Sequence, residues 1–309
     1  MQPRPSVAML RPENEPMFGK QISDMMVKPN QSPLFDDPAN YGLDYESVTF
    51  ETNDGVTLRG WLIKGGTDRV IVQSHFGVQC NRAGYDPKGK GLIKMWKTPI
   101  AFLRQAKHLV DRGYSVLMYD FRGHGESPLG PVPWVSWGPE EAKDVIGAVD
   151  YVRGRAEYAD ADIGLLSICM GASATTYAYG LDDGLRSRTQ VKAMVAIQPL
   201  PYKQFVDAFG MPGFLARAGA KVSLERTGIN LEEKSFIPDV KHITVPTLVV
   251  QNKNDPWTRV EIVERLHEEL TTEKELMWLD LSKSRAAAYD HLGTNPEFLS
   301  AFFDKHLQR

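Results

Sequence analysis

The stretch Asp162-Ile-Gly-Leu-Leu-Ser-Ile-Cys-Met-Gly-Ala-Ser-Ala-Thr175 decides how the chain is read. Asp162 to Leu166 is a short apolar run of the kind that forms a buried strand, and Ala172 onward is a small-residue helix start. Between them, Ser167-Ile-Cys-Met-Gly171 has the spacing of a strand-to-helix elbow with a nucleophile, Cys169, at its tip. Such a turn holds its central residue in a strained conformation. Side chains two before and two after it must be small or they strike the turning chain, and Ser167 and Gly171 meet that demand. Gly171-Ala-Ser-Ala-Thr175 offers the same spacing around Ser173. An elbow there would lengthen the strand to roughly nine residues, against a usual five to six, so Cys169 is the expected tip.

Working outward, Ser47 to Glu51 and Val56 to Lys64 alternate with period two around Asn53-Asp-Gly55, a hairpin signal. Further short β-branched or apolar runs cover Arg69 to Ser74, Tyr114 to Asp120, Lys192 to Gln198, Thr247 to Gln251 and Glu275 to Leu281. Helical patterns separate them: Ala101 to Arg112 ends at Gly113, and Pro139-Glu-Glu opens another with proline and acids in its first turn. Strands alternating with helices predict an α/β fold with a mostly parallel, eight-stranded sheet covered on both faces. Residues 1–43 hold several prolines and no steady period and read as an irregular arm before a single domain over 44–309. Residues 201–239 interrupt the rhythm with Phe205, Phe209, Met211, Phe214 and Leu215, which predicts a small helical lid on the carboxyl-end side of the sheet.

Composition narrows the function classes. The chain has 309 residues, 42% of them hydrophobic, ample for one sizeable core. With 36 basic and 39 acidic residues the net charge is −3 and no block of like charge stands out, so nucleic acid and anionic membrane are poor partners. Arg4, Arg11, Glu13 and Glu15 break up the amino terminus, which lacks the apolar core of a signal peptide, and a cytoplasmic protein is expected. The two cysteines, Cys80 and Cys169, are too few for a disulfide framework and wrongly spaced for zinc. No metal or cofactor is expected; the partner is a small-molecule substrate, and nothing in the sequence sets the oligomeric state.

The run Val245 to Gln251 leads into Asn252-Lys-Asn-Asp255-Pro256, which places Asp255 where a strand ends. After one more strand comes Ala288-Tyr-Asp-His291-Leu-Gly, expected as a loop before a last amphipathic helix, Pro296 to Leu307. Asp290 is an alternative acid beside that histidine. The order Cys169, Asp255, His291, each after a predicted strand, is that of a nucleophile, an acid and a base working together. His75-Phe-Gly77-Val78 follows the strand ending at Ser74 and is expected to supply one oxyanion donor, the N–H of Phe76 or Gly77, beside that of Met170 at the helix start. His75 itself, and His124 in Asp120-Phe-Arg-Gly-His-Gly-Glu-Ser127, read as scaffold, and Cys80 as a packed thiol. Trp134, Trp137, Trp257, Phe205, Phe209 and Phe214 are expected to line an apolar pocket. Arg82 and Arg285 could meet a substrate carboxylate, although loop arginines are mostly solvated.

From about Ser47 to Leu307 these pieces, in this order, resemble the α/β-hydrolase superfamily. Cysteine at the elbow together with Phe76-Gly77-Val78 is similar to the dienelactone hydrolases, which carry a Cys-Asp-His triad. Ser74 departs from them, standing where that family has a glutamate. The resemblance implies triad roles for Cys169, Asp255 and His291, with the thiol attacking an ester, lactone or thioester carbonyl to give an acyl-thioester. Water would resolve that intermediate in a hydrolase, and another nucleophile in an acyltransferase or condensing enzyme such as the longer polyhydroxyalkanoate synthases. A binding protein that has lost turnover is the third class.

Overall fold

In the computed structural model, which describes residues 15–29, 31–77, 79–89 and 95–308, the eight expected strands form one sheet. They are β1 (Tyr45–Glu51), β2 (Thr57–Ile63), β3 (Arg69–Ser74), β4 (Ser115–Tyr119), β5 (Asp162–Ile168), β6 (Val191–Ile197), β7 (Thr247–Asn252) and β8 (Lys274–Leu279). Their spatial order is β1-β2-β4-β3-β5-β6-β7-β8. β2 is antiparallel to both its neighbours, and every pair from β4 onward is parallel. β3, β4 and β7 are buried at every position because helices cover both faces, whereas the edge strands β1 and β8 keep exposed residues. Parallel pairing brings Ser74, Ile168, Ile197, Asn252 and Leu279 to one edge, where the loops that carry the candidate chemistry begin.

The crossover helices are α2 (Leu103–Val110), α3 (Glu141–Arg153), α4 (Met170–Gly180), α7 (Val260–Glu269) and α9 (Glu297–His306). A ribbon of Cys80–Asn81, Gly84–Tyr85 and Ile100–Ala101 was not foreseen, since two-residue strands carry no readable period.

The arm departs from expectation. Residues 1–14 and Val78 lie outside the described residues, but α1 (Glu15–Val27) is a regular helix. It packs on the insertion after β6, which contains α5 (Tyr202–Ala208) and α6 (Gly213–Thr227). Ser23 Oγ lies 3.0 Å from Ser223 Oγ, and Arg226 pairs with Asp24 at 2.7 Å. Trp137 Nε1 donates to Met26 O at 2.8 Å, and the N–H of Val135 donates to Val27 O at 2.8 Å. Arm and insertion are thus built into one cover. Among the described residues no helix is long and apolar enough to cross a membrane.

Candidate active site

Cys169 sits between β5 and α4 at φ 55°, ψ −107°, a left-handed conformation costing about 1–3 kcal/mol for a residue with a side chain. Its N–H is tied to Ile197 O at 2.8 Å. A Cβ on Gly171 would lie 2.6 Å from Ser74 O, so the elbow cannot close with any side chain there. Ser167 is tolerated because its hydroxyl pairs with Thr175 Oγ1 at 2.8 Å. Ser173 is buried inside α4, one turn beyond the tip.

Asp255 stands in the turn after β7, whose geometry is set by buried Asn252. The Asn252 Oδ1 accepts the N–H of Leu281 at 3.1 Å and its Nδ2 donates to Ser282 O at 3.0 Å, so the loops after β7 and β8 are fastened together. The Asp255 carboxylate accepts from Gln251 Nε2 at 3.0 Å, from the N–H of Trp257 at 3.1 Å and from Arg285 Nη1. Both side chains of the Asp255–Arg285 pair are fully buried.

Arg285 and Tyr289, on the first turns of α8 (Arg285–Thr294), fill the space between acid and thiol. Arg285 Nε donates to Tyr289 Oη at 2.7 Å, Nη1 also donates to Thr258 Oγ1 at 3.1 Å, and Nη2 to Gln198 O. Arg285 and Tyr289 both interact electrostatically with the Cys169 sulfur. The expectation that Arg285 is solvated or free for a substrate carboxylate is therefore corrected. Its guanidinium is enclosed and occupied: burial opposes its charge, but the Asp255 carboxylate beside it raises its pKa nonetheless. Burial pushes the Tyr289 hydroxyl well above its usual range.

His291 is not in this group. It lies within α8 rather than on a loop, and at about 100° per residue it falls about 200° round the helix from Tyr289. Its half-buried ring stacks on Phe298 with centroids 6.0 Å apart and meets Asn295 Nδ2 at 3.2 Å. Asp290 pairs with Arg104. Among the described residues no histidine is bonded to Cys169, Asp255 or Arg285. His291→Ala is accordingly expected to leave catalytic rates within about twofold and to cost about 1 kcal/mol or less of stability, from loss of the ring contact. A rate loss of a hundredfold in a steady-state assay would return His291 to the machinery.

Gly77 lies against the start of α4, where a Cβ would stand 2.6 Å from Met170 Sδ. The backbone of Phe76 faces the buried Cys80 sulfur, whose thiol burial pushes well above its usual range. Gly77 and Met170 thus lie against each other at the start of α4. His75 Nε2 accepts the N–H of Phe121 at 3.1 Å, which makes it a neutral ring bracing the Asp120 to Ser127 loop. Arg82 is bound to Asp120 and Glu126 in the same scaffold.

An aromatic band runs from the thiol to the cover. Tyr289 stacks on Phe76 at 4.7 Å, Phe76 meets Trp96 at 5.4 Å, and Trp96 stacks on Trp257 at 5.8 Å. Trp257 meets Phe205 at 5.3 Å and Phe209 at 6.4 Å, and Phe205 meets Trp137 at 4.5 Å. Trp134 instead lies under Arg226, 4.1 Å from ring centre to guanidinium, and Phe214 is 39% exposed. Those two pocket expectations are corrected: both belong to the outer cover rather than the band.

Gln198 was missed. It follows β6 beside the elbow with φ 50°, is fully buried, and neither amide atom of its side chain has a protein partner among the described residues. An unsatisfied buried polar group costs about 1–3 kcal/mol, and the positive φ adds strain to that cost. Gln198→Leu is expected to raise stability by about 1 kcal/mol in thermal unfolding while raising KM for an acyl probe; an unchanged KM would assign the amide to packing.

A family model described as serine aminopeptidase, S33, matches residues 100–224. No curated protein sequence matches the chain. An esterase of Pyrococcus furiosus is 21% identical over 92% of this chain and 99% of its own, with a TM-score of 0.67. An acylaminoacyl peptidase of Pyrococcus horikoshii is 17% identical over 86% of this chain and 42% of its own, at 0.59. An α/β hydrolase of a Penicillium species is 21% identical over 84% and 97%, at 0.55. With the strand order and the elbow, these matches identify the fold as that of the α/β hydrolases.

Proposed function

We propose that the protein is a hydrolase-type enzyme acting on the carbonyl of an acyl derivative through Cys169, with Arg285 in the place expected for a histidine. The observation that carries the reading is the strained elbow cysteine beside a buried guanidinium that is paired with Asp255. The two departures from a serine and histidine pair fit each other. A guanidinium cannot be deprotonated and so cannot take a proton from a serine hydroxyl, whereas a thiolate attacks without a base and needs only donors that stabilise its charge. Arg285 and the Tyr289 hydroxyl are those donors. The thiolate adds to the carbonyl, the oxyanion falls to the N–H groups of Gly77 and Met170, and collapse expels the leaving group to give an acyl-thioester. The esterase and peptidase among the structural neighbours, both acyl-group hydrolases, favour carbonyl chemistry.

The test is intact-protein mass spectrometry after exposure to a panel of acyl esters, lactones and thioesters. One acyl increment is expected, mapping to the Cys169 peptide and missing in Cys169→Ala. No increment with any member, alongside saturable binding of one, would replace this reading with that of a non-catalytic binding protein.

A further inference from the structure

We infer that the leaving groups and acceptors of this site are thiols, so that the protein exchanges an acyl group between thioesters instead of hydrolysing an oxygen ester. The inference rests on the reading of Cys169 as nucleophile and deepens it to a substrate class.

The argument is an inventory of protons. Expelling an alkoxide requires a general acid, and attack by water requires a general base, each contributing about 10²–10⁴-fold. Among the described residues the groups around Cys169 supply neither. Four of the five Arg285 N–H groups are committed to Asp255, Thr258, Tyr289 and the Gln198 carbonyl, and the guanidinium holds its protons permanently. The Asp255 carboxylate is engaged by Arg285, Gln251 Nε2 and the N–H of Trp257. Tyr289 Oη accepts from Arg285 and, on giving up its proton, would become a buried phenolate, a form that its burial strongly disfavours. His291 is on the far side of α8, and His75 is locked between Phe76 O and the N–H of Phe121.

Thioester exchange needs no proton transfer. The Cys169 thiolate adds to the thioester carbon, the C–S bond to the carrier breaks, and the carrier sulfur leaves with the electron pair as a thiolate. An incoming thiolate then adds to the acyl-Cys169 carbonyl, a new C–S bond forms, and the Cys169 thiolate is regenerated. Charge is conserved at each step, nothing is oxidised or reduced, and the oxyanion is held throughout by backbone N–H groups.

The test uses the full-length protein and one acyl group, benzoyl, on four leaving groups: the N-acetylcysteamine thioester, the phenyl ester, the ethyl ester and the ethyl amide. Acylation of Cys169, read by rapid-quench mass spectrometry, is expected with the thioester and the phenyl ester, whose leaving groups depart unprotonated. It should be at least 100-fold slower with the ethyl ester and amide, beyond the same ratio measured with free N-acetylcysteine. The acyl-enzyme should persist in buffer and be discharged by added N-acetylcysteamine at a rate proportional to its concentration. Arg285→His, which restores a base, should hydrolyse the acyl-enzyme at least tenfold faster than the parent; should that variant fail to fold, the leaving-group series and the partition between water and thiol decide alone. Discharge by water as fast as by millimolar thiol, or an ethyl ester as reactive as the phenyl ester, overturns thiol exchange and leaves Cys169 as a nucleophile. Absence of any adduct across the four substrates and the wider acyl panel removes the nucleophile itself, and the exchange with it.

Discussion

Cys169→Ser is expected to lose about 10²–10⁴-fold in the rate of acylation, about 3–5 kcal/mol of transition-state stabilisation, while keeping the fold. Where a histidine serves the elbow, a hydroxyl is a workable nucleophile because the ring removes its proton during attack. Here the cation beside the sulfur is Arg285, which has no lone pair to accept a proton. A serine at position 169 would receive hydrogen bonds from Arg285 and Tyr289 and remain a protonated alcohol. The measurement is single-turnover acylation with an acyl thioester, with circular dichroism as the control for folding. A serine variant within tenfold of the parent would mean that an unseen base reaches the elbow, and would turn preference towards a serine-type esterase in which the thiol is incidental.

The fold was legible because its signals are local. The first two strands alternate around a hairpin turn and the other six are short runs rich in apolar residues, while Gly171 follows Cys169 for a steric reason that the 2.6 Å approach to Ser74 O makes concrete. Helix α1 was not legible. In isolation it reads as a proline-bound stretch with no steady period, and it packs on α6, about 200 residues away in sequence, through contacts such as Ser23 with Ser223.

The site was half legible. Cys169 and Asp255 follow strands directly, so their positions are fixed by the sheet; no such rule fixed the third member. His291 was chosen by residue type, because a histidine is what the chemistry usually asks for, but it lies twelve residues beyond Leu279 and inside a helix. The readable signal was distance along the chain: Arg285 is the sixth residue after β8, at the end of the loop that Asn252 fastens to the turn of Asp255. Residue type hides that signal because arginines are mostly solvated, an average that gives way when a buried carboxylate and three further acceptors are supplied. Gln198 left no signal at all, since an unpaired amide is visible only once its surroundings are known.

Removing both members of the buried ion pair should cost less stability than the two single removals added together. Arg285→Met leaves the Asp255 carboxylate enclosed without its cation and deprives Tyr289 Oη, Thr258 Oγ1 and Gln198 O of a donor. Breaking such a pair from one side costs about 3–5 kcal/mol, because the remaining charge keeps its desolvation penalty and loses its attraction. At about 2–4 °C per kcal/mol for a chain of this order of size, that is a fall of roughly 6–20 °C in Tm. Asp255→Leu should fall by a similar amount from the other side. In the double variant both penalties vanish together, and the loss should be smaller than the sum of the single losses by about 2 kcal/mol or more, within the range of couplings seen for contacting groups. Acylation of the sulfur should be lost in all three, since each removes or misplaces the guanidinium that Cys169 faces. Thermal unfolding of the four proteins completes the cycle. Additive losses would mean that the two side chains contribute separately, Arg285 through its carbonyl and hydroxyl acceptors, and that the acid does not hold the cation against the thiol. A coupled loss, with a double variant that is folded, stable and inert towards acyl thioesters, would separate the scaffold of this site from its chemistry: the pair is kept because it presents a positive charge to Cys169, in an interior that apolar side chains could fill at comparable stability.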